Sequence, residues 1–277
     1  MVRIITVFRG LLAFLTAIPV KMGESFLDIS ARYMFLFPVI GAVIGVLVGT
    51  YGYLANKIMF FVFGTLNNLL FSGAHEVFFD FAAKGLAGIV TMAFLLLIIG
   101  LQHTDGLVDV GNALGIRKAS LKEKMDIAHV WTVTPTGAFF ALAVSFLTFL
   151  LIFLTNNDTI IPALIVAEVC AKLAMVTTAW QGTSPPEKLE DKRGKGRSFI
   201  EFIRKNNKLY AISLAISLAF SVPLFGLTGV FAVAAGMLVG AFMIVLANRV
   251  FGGVNGDIFG ATNELARMFA LFVVVFL

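Results

Sequence analysis

The stretch "HTDGLVDVGNAL", residues 103–114, places Asp105 and Asp109 four apart, with Asn112 three further on. On a helix all three share one face. Two carboxylates so placed repel each other unless a cation lies between them. Oxygen-only ligands suit magnesium, which commonly bridges one or two carboxylates to the phosphates of a substrate. The chemistry suggested is metal-assisted phosphoryl transfer; a solvated helix end with incidental acids is the plain alternative. His103 stands two residues before Asp105. With three histidines and one cysteine in the whole chain, a closed zinc site has too few ligands. His103 is read as a hydrogen-bond donor toward phosphate, or as an ordinary interfacial histidine.

A second acidic segment lies near the other end of the chain, in "NRVFGGVNGDIFGATNELARMF", residues 248–269. Asp257 is either a functional acid or the N-cap of the helix that follows. Glu264, seven residues on, falls on the same helix face inside an apolar run. A carboxylate there is costly, so it needs either a function or a buried partner. Arg267 is one such partner, and Glu168 with Lys172 forms a similar i, i+4 pair elsewhere. Between the two acidic segments, "SLKEKMDIAHV" begins with Ser120 and has Glu123 at the capping-box position. It carries Asp126, either a third metal-facing acid or part of a solvated face. The loop "QGTSPPEKLEDKRGKGRSFIEF" contributes Lys195 and Arg197, suited to phosphate oxygens or to anionic headgroups.

These residues are set among elements that a membrane must hold. The chain has 277 residues, 59% hydrophobic and 13% charged, against about half and about a quarter in soluble domains. That excess predicts an all-α, polytopic integral membrane protein, a single domain over 1–277. Seven windows are apolar over the length that crosses a bilayer: 33–55, 84–101, 136–155, 159–180, 208–225, 228–248 and 258–277. The first 20 residues are split by Arg9 and ended by Pro19, which fits an interfacial helix better than a signal peptide. Residues 56–83, apolar but broken by Gly, Asn and charge, read as a lipid-surface or re-entrant segment. With the N-terminus in the cytoplasm, 17 of the 21 Lys and Arg fall in inner segments, as the positive-inside rule expects. The acids then gather at the cytoplasmic face of a multi-pass protein of the cell membrane. The lone Cys170 is a small buried hydrophobe. Nothing points to nucleic acid as a partner, and a homo-oligomer is left open.

The two acidic motifs together resemble those of the cobalamin synthase family, the adenosylcobinamide-GDP ribazoletransferases. "HTDGLVDVGNAL" is similar to the family's H-x-D-G-L-x-D-x-x-D signature, and "GGVNGDIFGATNE" to its GG-x-x-GD-x-x-GA-x-x-E segment. "LLAFLTAIPV" and "FPVIGAVIGVLVG" resemble its opening, so the likeness spans nearly the whole chain. It implies a magnesium-dependent membrane enzyme that joins adenosylcobinamide-GDP to α-ribazole or its 5′-phosphate, releasing GMP. It implies that Asp105, Asp109 and Asp257 are catalytic acids and, with Asp126, metal ligands, and that Glu264 or Asp257 takes the acceptor's proton. Substrate contacts then fall to His103, Asn112, Lys172, Lys195, Arg197, Asn255 and Asn263. Two departures stand out: Asn112 replaces the third signature acid, and Lys172 stands where the family has arginine. Two other readings are a membrane phosphotransferase of the CDP-alcohol type and an ion-coupled transporter. The first lacks its Ala-Arg at Val108-Asp109, and the second lacks internal repeats.

Overall fold

The computed structural model describes residues 4–20, 26–116, 119–128, 132–186 and 196–277. Among them it has no β-strand. In chain order the helices are α1 (Ile4–Leu15), α2 (Phe26–Arg32), α3 (Phe37–Phe71), α4 (Glu76–Ile99), α5 (Gln102–Leu114), α6 (Leu121–Ala128), α7 (Pro135–Leu154), α8 (Ile160–Gln181), α9 (Gly196–Ile203), α10 (Asn207–Val250) and α11 (Gly256–Phe276). Six of these, α3, α4, α7, α8, α10 and α11, are long and apolar enough to cross a membrane.

Helix α10 accounts for the difference from seven expected spans. Its 44 residues would measure about 66 Å if straight, twice the roughly 30 Å of a hydrocarbon core. It breaks at Gly226, where φ is 56° and ψ is −127°, three residues after Pro223. The chain doubles back there: a Cβ on Gly229 would sit 2.1 Å from the Ser221 carbonyl oxygen. The two arms coincide with the expected spans 208–225 and 228–248, so the described residues hold an apolar helical segment for each of the seven expected windows.

The centre of the bundle is α8, buried along almost its whole length. It has no polar face for solvent, and its two charged residues, Glu168 and Lys172, are buried with it. Against it lies α3, running antiparallel, with Gly41, Gly45 and Gly49 at the seam. A Cβ at Gly45 would stand 2.4 Å from the Ile165 Cα, and one at Gly41 2.5 Å from the Glu168 carbonyl oxygen. Small residues four apart let two backbones touch where hydrophobic burial alone gives no drive between helices. On another side, the second arm of α10 approaches through Gly236 and Gly240, beside Cys170 and Ala174. Cys170 is buried, as expected.

Residues 56–83 depart from the expectation. They are no re-entrant segment but the far end of α3, a short turn, and the start of α4. Apolar helix formers carry α3 on to Phe71, where Ser72 (φ 52°) and Gly73 (φ 82°) reverse the chain. This hairpin exposes Phe61, Leu69, Leu70, Val77 and Phe78. Helix α1 is short and amphipathic, burying Val7, Leu11 and Leu15 while Ile4 and Ile5 are exposed.

Alternating helix directions bring the polar segments to one end of the bundle. There Phe14 of α1 stacks on Phe199 of α9, which also meets Phe37 of α3 and Phe259 of α11. Val254 donates its N–H to the Thr183 carbonyl at 2.7 Å, tying the loop after α8 to the entry of α11.

Candidate active site

Helix α4 ends at this polar end in two successive left-handed residues, Gly100 (φ 73°) and Leu101 (φ 61°). The Leu101 N–H closes on the Leu96 carbonyl at 3.2 Å, the hydrogen bond of a Schellman C-cap. A leucine in this conformation is uncommon and strained. The turn redirects the chain so that α5 crosses α11 instead of prolonging α4. The crossing is made by glycine on both sides. A Cβ on Gly106 would stand 2.5 Å from the Asp257 carbonyl oxygen, and one on Gly260 3.0 Å from that of His103. No larger residue permits that approach, so the motifs of residues 103–114 and 252–264 meet backbone to backbone.

Asp105 is exposed at this crossing and Asp109 half-buried one turn on, while Asp257 is half-buried in the first turn of α11. Asn255 caps that helix, accepting the Ile258 N–H at 3.0 Å and donating to Asp257 Oδ2 at 2.8 Å. Its amide also reaches the Met125 sulfur at 4.0 Å, which places α6 beside the same helix start. Helix α6 opens with the expected capping box: the Ser120 N–H and hydroxyl both donate to Glu123, at 2.7 and 2.8 Å. Those bonds hold the Glu123 carboxyl below its usual range. Asp126 is exposed on α6. Among the described residues, no three His, Cys, Asp or Glu gather closely enough to hold a metal ion among themselves. The carboxylate pair of α5, with oxygen donors alone, fits an ion that completes its shell with substrate phosphates.

Beneath the crossing lies a buried ionic network. Lys172 donates to Glu168 Oε2 at 3.1 Å and to Asn263 Oδ1 at 2.6 Å. Asn263 donates in turn to Glu264 Oε1 at 3.1 Å. Arg267 reaches Glu264 Oε2 at 2.5 Å through Nη1 and Glu168 Oε1 through Nε. Glu264 is 1% exposed and the other four are fully buried. The costly acid at position 264 thus has the partner its burial demanded. With both carboxylate oxygens engaged within α11, it holds Asn263 and Arg267, whose bonds to Lys172 and Glu168 tie α11 to α8. Lys172 and Asn263 are likewise committed to the network and have no exposed surface for a substrate.

Asn112 meets the start of α7. Its Nδ2 donates to the Thr132 carbonyl at 3.1 Å, and its Oδ1 accepts from the Thr134 N–H at 3.0 Å and hydroxyl at 2.7 Å. Thr134 caps α7, accepting the Gly137 N–H at 3.1 Å. The amide where the signature has an acid therefore anchors the start of α7. His103 is buried and its Nδ1 meets no hydrogen-bond partner. Burial, helped by the positive charge of Lys172 and Arg267, holds its pKa well below 6.5, so the ring is neutral at pH 7. The Arg197 Nη2 lies 3.5 Å from the Pro185 carbonyl, which keeps it at the same end. Lys195 and His129 lie outside the described residues.

Sequence reasoning missed the apolar floor of this end: Phe14, Met175, Phe199 and Phe259 line a cavity with His103 and Asp257. A signal existed for Phe199. Inside a loop read for its charges, Phe199, Ile200 and Ile203 recur at helical spacing and are all buried.

Fold and site together define a multi-pass, all-helical membrane protein whose acids, drawn from distant segments, cross at one polar end. The family model described as cobalamin-5-phosphate synthase matches residues 7–275, and the chain belongs to that family. It is similar to the adenosylcobinamide-GDP ribazoletransferase of Methanocella arvoryzae, at 30% identity over 95% of this chain and 92% of the relative. The same named enzyme of Methanococcoides burtonii is 28% identical over 96% and 90%, and that of Halorubrum lacusprofundi 29% over 97% and 96%. No solved structure matches significantly. By this membership the chain is a transferase of cobalamin biosynthesis, which removes the CDP-alcohol and transporter readings.

Proposed function

We propose that this transferase joins adenosylcobinamide-GDP to α-ribazole, or to its 5′-phosphate, at the cytoplasmic face of the cell membrane. The observation that carries the reading is the glycine-seamed crossing of α5 and α11, where the Gly106 position meets the Asp257 carbonyl. It brings the acids of two motifs 150 residues apart in sequence to one exposed end. A ribose hydroxyl of the acceptor attacks the phosphorus next to cobinamide. The bond from that phosphorus to the oxygen of the outgoing phosphate breaks, and GMP leaves with the electron pair. Such transfers are catalysed mainly by positioning and by neutralising charge.

Asp105 and Asp109 would hold magnesium against the diphosphate, and the bound ion would neutralise charge developing on the transferred and departing oxygens. Asp257, half-buried and oriented by the Asn255 amide, takes the proton of the attacking hydroxyl. The amides at the start of α11 offer a phosphate further donors. Arg197 and Lys195 contribute positive charge at the rim. Glu264, Lys172, Asn263 and Asn112 act by holding α11, α8 and α7 in place.

The test is an assay of purified protein in lipid nanodiscs with adenosylcobinamide-GDP and α-ribazole, following GMP and cobalamin together under magnesium titration. Asp105→Asn and Asp109→Asn should each lower kcat by about 100-fold or more, the scale for losing one charge-stabilising group, with unchanged helical content. Near-wild-type turnover in either variant would sink the metal role. GMP release without cobalamin would mark a hydrolase.

A further inference from the structure

Beside the acids, a cavity of about 210 Å³ opens between α1, α5, α8, α9 and α11. Its walls are mainly Phe14, Phe199, Phe259 and Met175, with His103 and Asp257 among the polar lining. The rings are mutually oriented: Phe14 and Phe199 stack at 4.6 Å and 28°, and Phe199 meets Phe259 at 6.2 Å and 63°. His103 borders the cavity with its ring, while its Nδ1 is enclosed by protein and has no hydrogen-bond partner among the described residues.

Size and chemistry narrow the ligand. Pockets that enclose whole drug-sized molecules begin at about 300 Å³, so this one takes a fragment, far smaller than a corrin ring. Aromatic and thioether walls suit a flat, largely apolar ring. Guanine carries polar groups on nearly every edge, and beside the enclosed His103 only the Gln102 and Asp257 side chains of this lining could meet them. A benzimidazole joined to ribose has a single unsubstituted ring nitrogen and asks less of such a wall. Asp257, on the same lining, is the acid assigned to the acceptor hydroxyl.

We infer that this cavity seats the benzimidazole ring of the acceptor, with Phe14, Phe199 and Phe259 enclosing its faces. The assignment rests on the reaction proposed above. It makes the enzyme's choice of acceptor base depend in part on α1 and α9, elements outside both acidic motifs.

The experiment measures KM for three acceptors with wild-type protein in nanodiscs: the α-ribosides of dimethylbenzimidazole, benzimidazole and imidazole. Two buried methyl groups at ~0.8 kcal/mol each predict a roughly 15-fold rise in KM from the first to the second, and a further rise for imidazole. Phe199→Ala should raise KM for α-ribazole at least tenfold and leave KM for adenosylcobinamide-GDP within twofold. If KM is indifferent to the methyl groups, the assignment fails. If Phe199→Ala raises the donor KM instead, the cavity holds the guanine. A fall in kcat with both KM values unchanged would make Phe199 only a packing residue, overturning the assignment. Should Phe199→Ala not fold, the wild-type acceptor series decides by itself. Equilibrium dialysis of the same ribosides without donor separates the two readings. Methyl-dependent binding without transfer would keep the cavity and remove the reaction; transfer without methyl dependence would do the reverse.

Discussion

Glu168 accepts from both cations of the buried network, Lys172 at 3.1 Å and Arg267 through Nε. Glu264 is the only other acid in it, so two positive and two negative charges balance without water. Replacing Glu168 with Gln leaves one unit of positive charge uncompensated; Lys172→Met leaves one of negative charge. Breaking a buried pair from one side costs about 3–5 kcal/mol, or roughly 100- to 5,000-fold in the unfolding equilibrium. The double variant Glu168→Gln, Lys172→Met restores neutrality and keeps Glu264 with Arg267. Its destabilisation should fall short of the additive sum by about 3 kcal/mol, the upper range for directly coupled residues. The assay is reversible unfolding in mixed micelles, following helical circular dichroism against the mole fraction of dodecyl sulfate. Additivity within about 0.5 kcal/mol would show that the charges act independently and refute the network as a unit.

Asn112→Asp removes the donor to the Thr132 carbonyl and sets a carboxylate oxygen against it. Destabilisation of about 1–3 kcal/mol is expected in the same micelle assay, and unchanged stability would mean that the amide does not anchor α7. His103 is held neutral below its ordinary pKa of 6.5, so on acidification the unfolded chain binds a proton that the folded one refuses. Stability should therefore fall as pH drops through 6.5, by about 1.4 kcal/mol at pH 5.5. In magnesium-free buffer His103→Gln should abolish that component; an identical pH profile in the variant would contradict the neutral assignment. Gly45→Ala would place a methyl 2.4 Å from the Ile165 Cα. Forcing α3 off α8 should cost about 1–3 kcal/mol and lower the thermal midpoint, whereas Gly64→Ala, with open space around it, should not.

Apolar runs located the candidate spans because hydropathy measures the same transfer that decides insertion. Gly226 fell in the short connection left between two windows, so the fold-back of α10 was legible even though the helical stretch is continuous. The extension of α3 to Phe71 was not: Gly64, Asn67 and Asn68 look like breakers, yet no tertiary clash or hydrogen-bond competitor stops the helix there. At the site, i, i+4 spacing correctly put Asp105 and Asp109 on one helix. The same rule could not say what stands opposite Asn112, which is the start of α7. Glu264, Lys172 and Asn263 were recognised as costly residues in an apolar setting. Their mutual pairing depends on α8 meeting α11 and is a tertiary fact. The aromatic cavity was invisible because its walls come from residues 14, 175, 199 and 259, each an unremarked member of its own segment.

The ionic network also bears on how the chain enters a membrane. Each of its two charged helices carries an acid and a base within one turn of each other. Lys172 follows Glu168 at i+4 in α8, and Arg267 follows Glu264 at i+3 in α11. A helix leaving the insertion machinery can therefore neutralise itself before its partner exists. Helix α8 begins 96 residues ahead of α11, and its internal pair spares it that interval as a bare charge in lipid. When α11 arrives, also self-paired, both helices keep these pairs and add the bond from Arg267 to Glu168 across the interface. The charges that lock the finished bundle are arranged so that neither helix has to wait for the other.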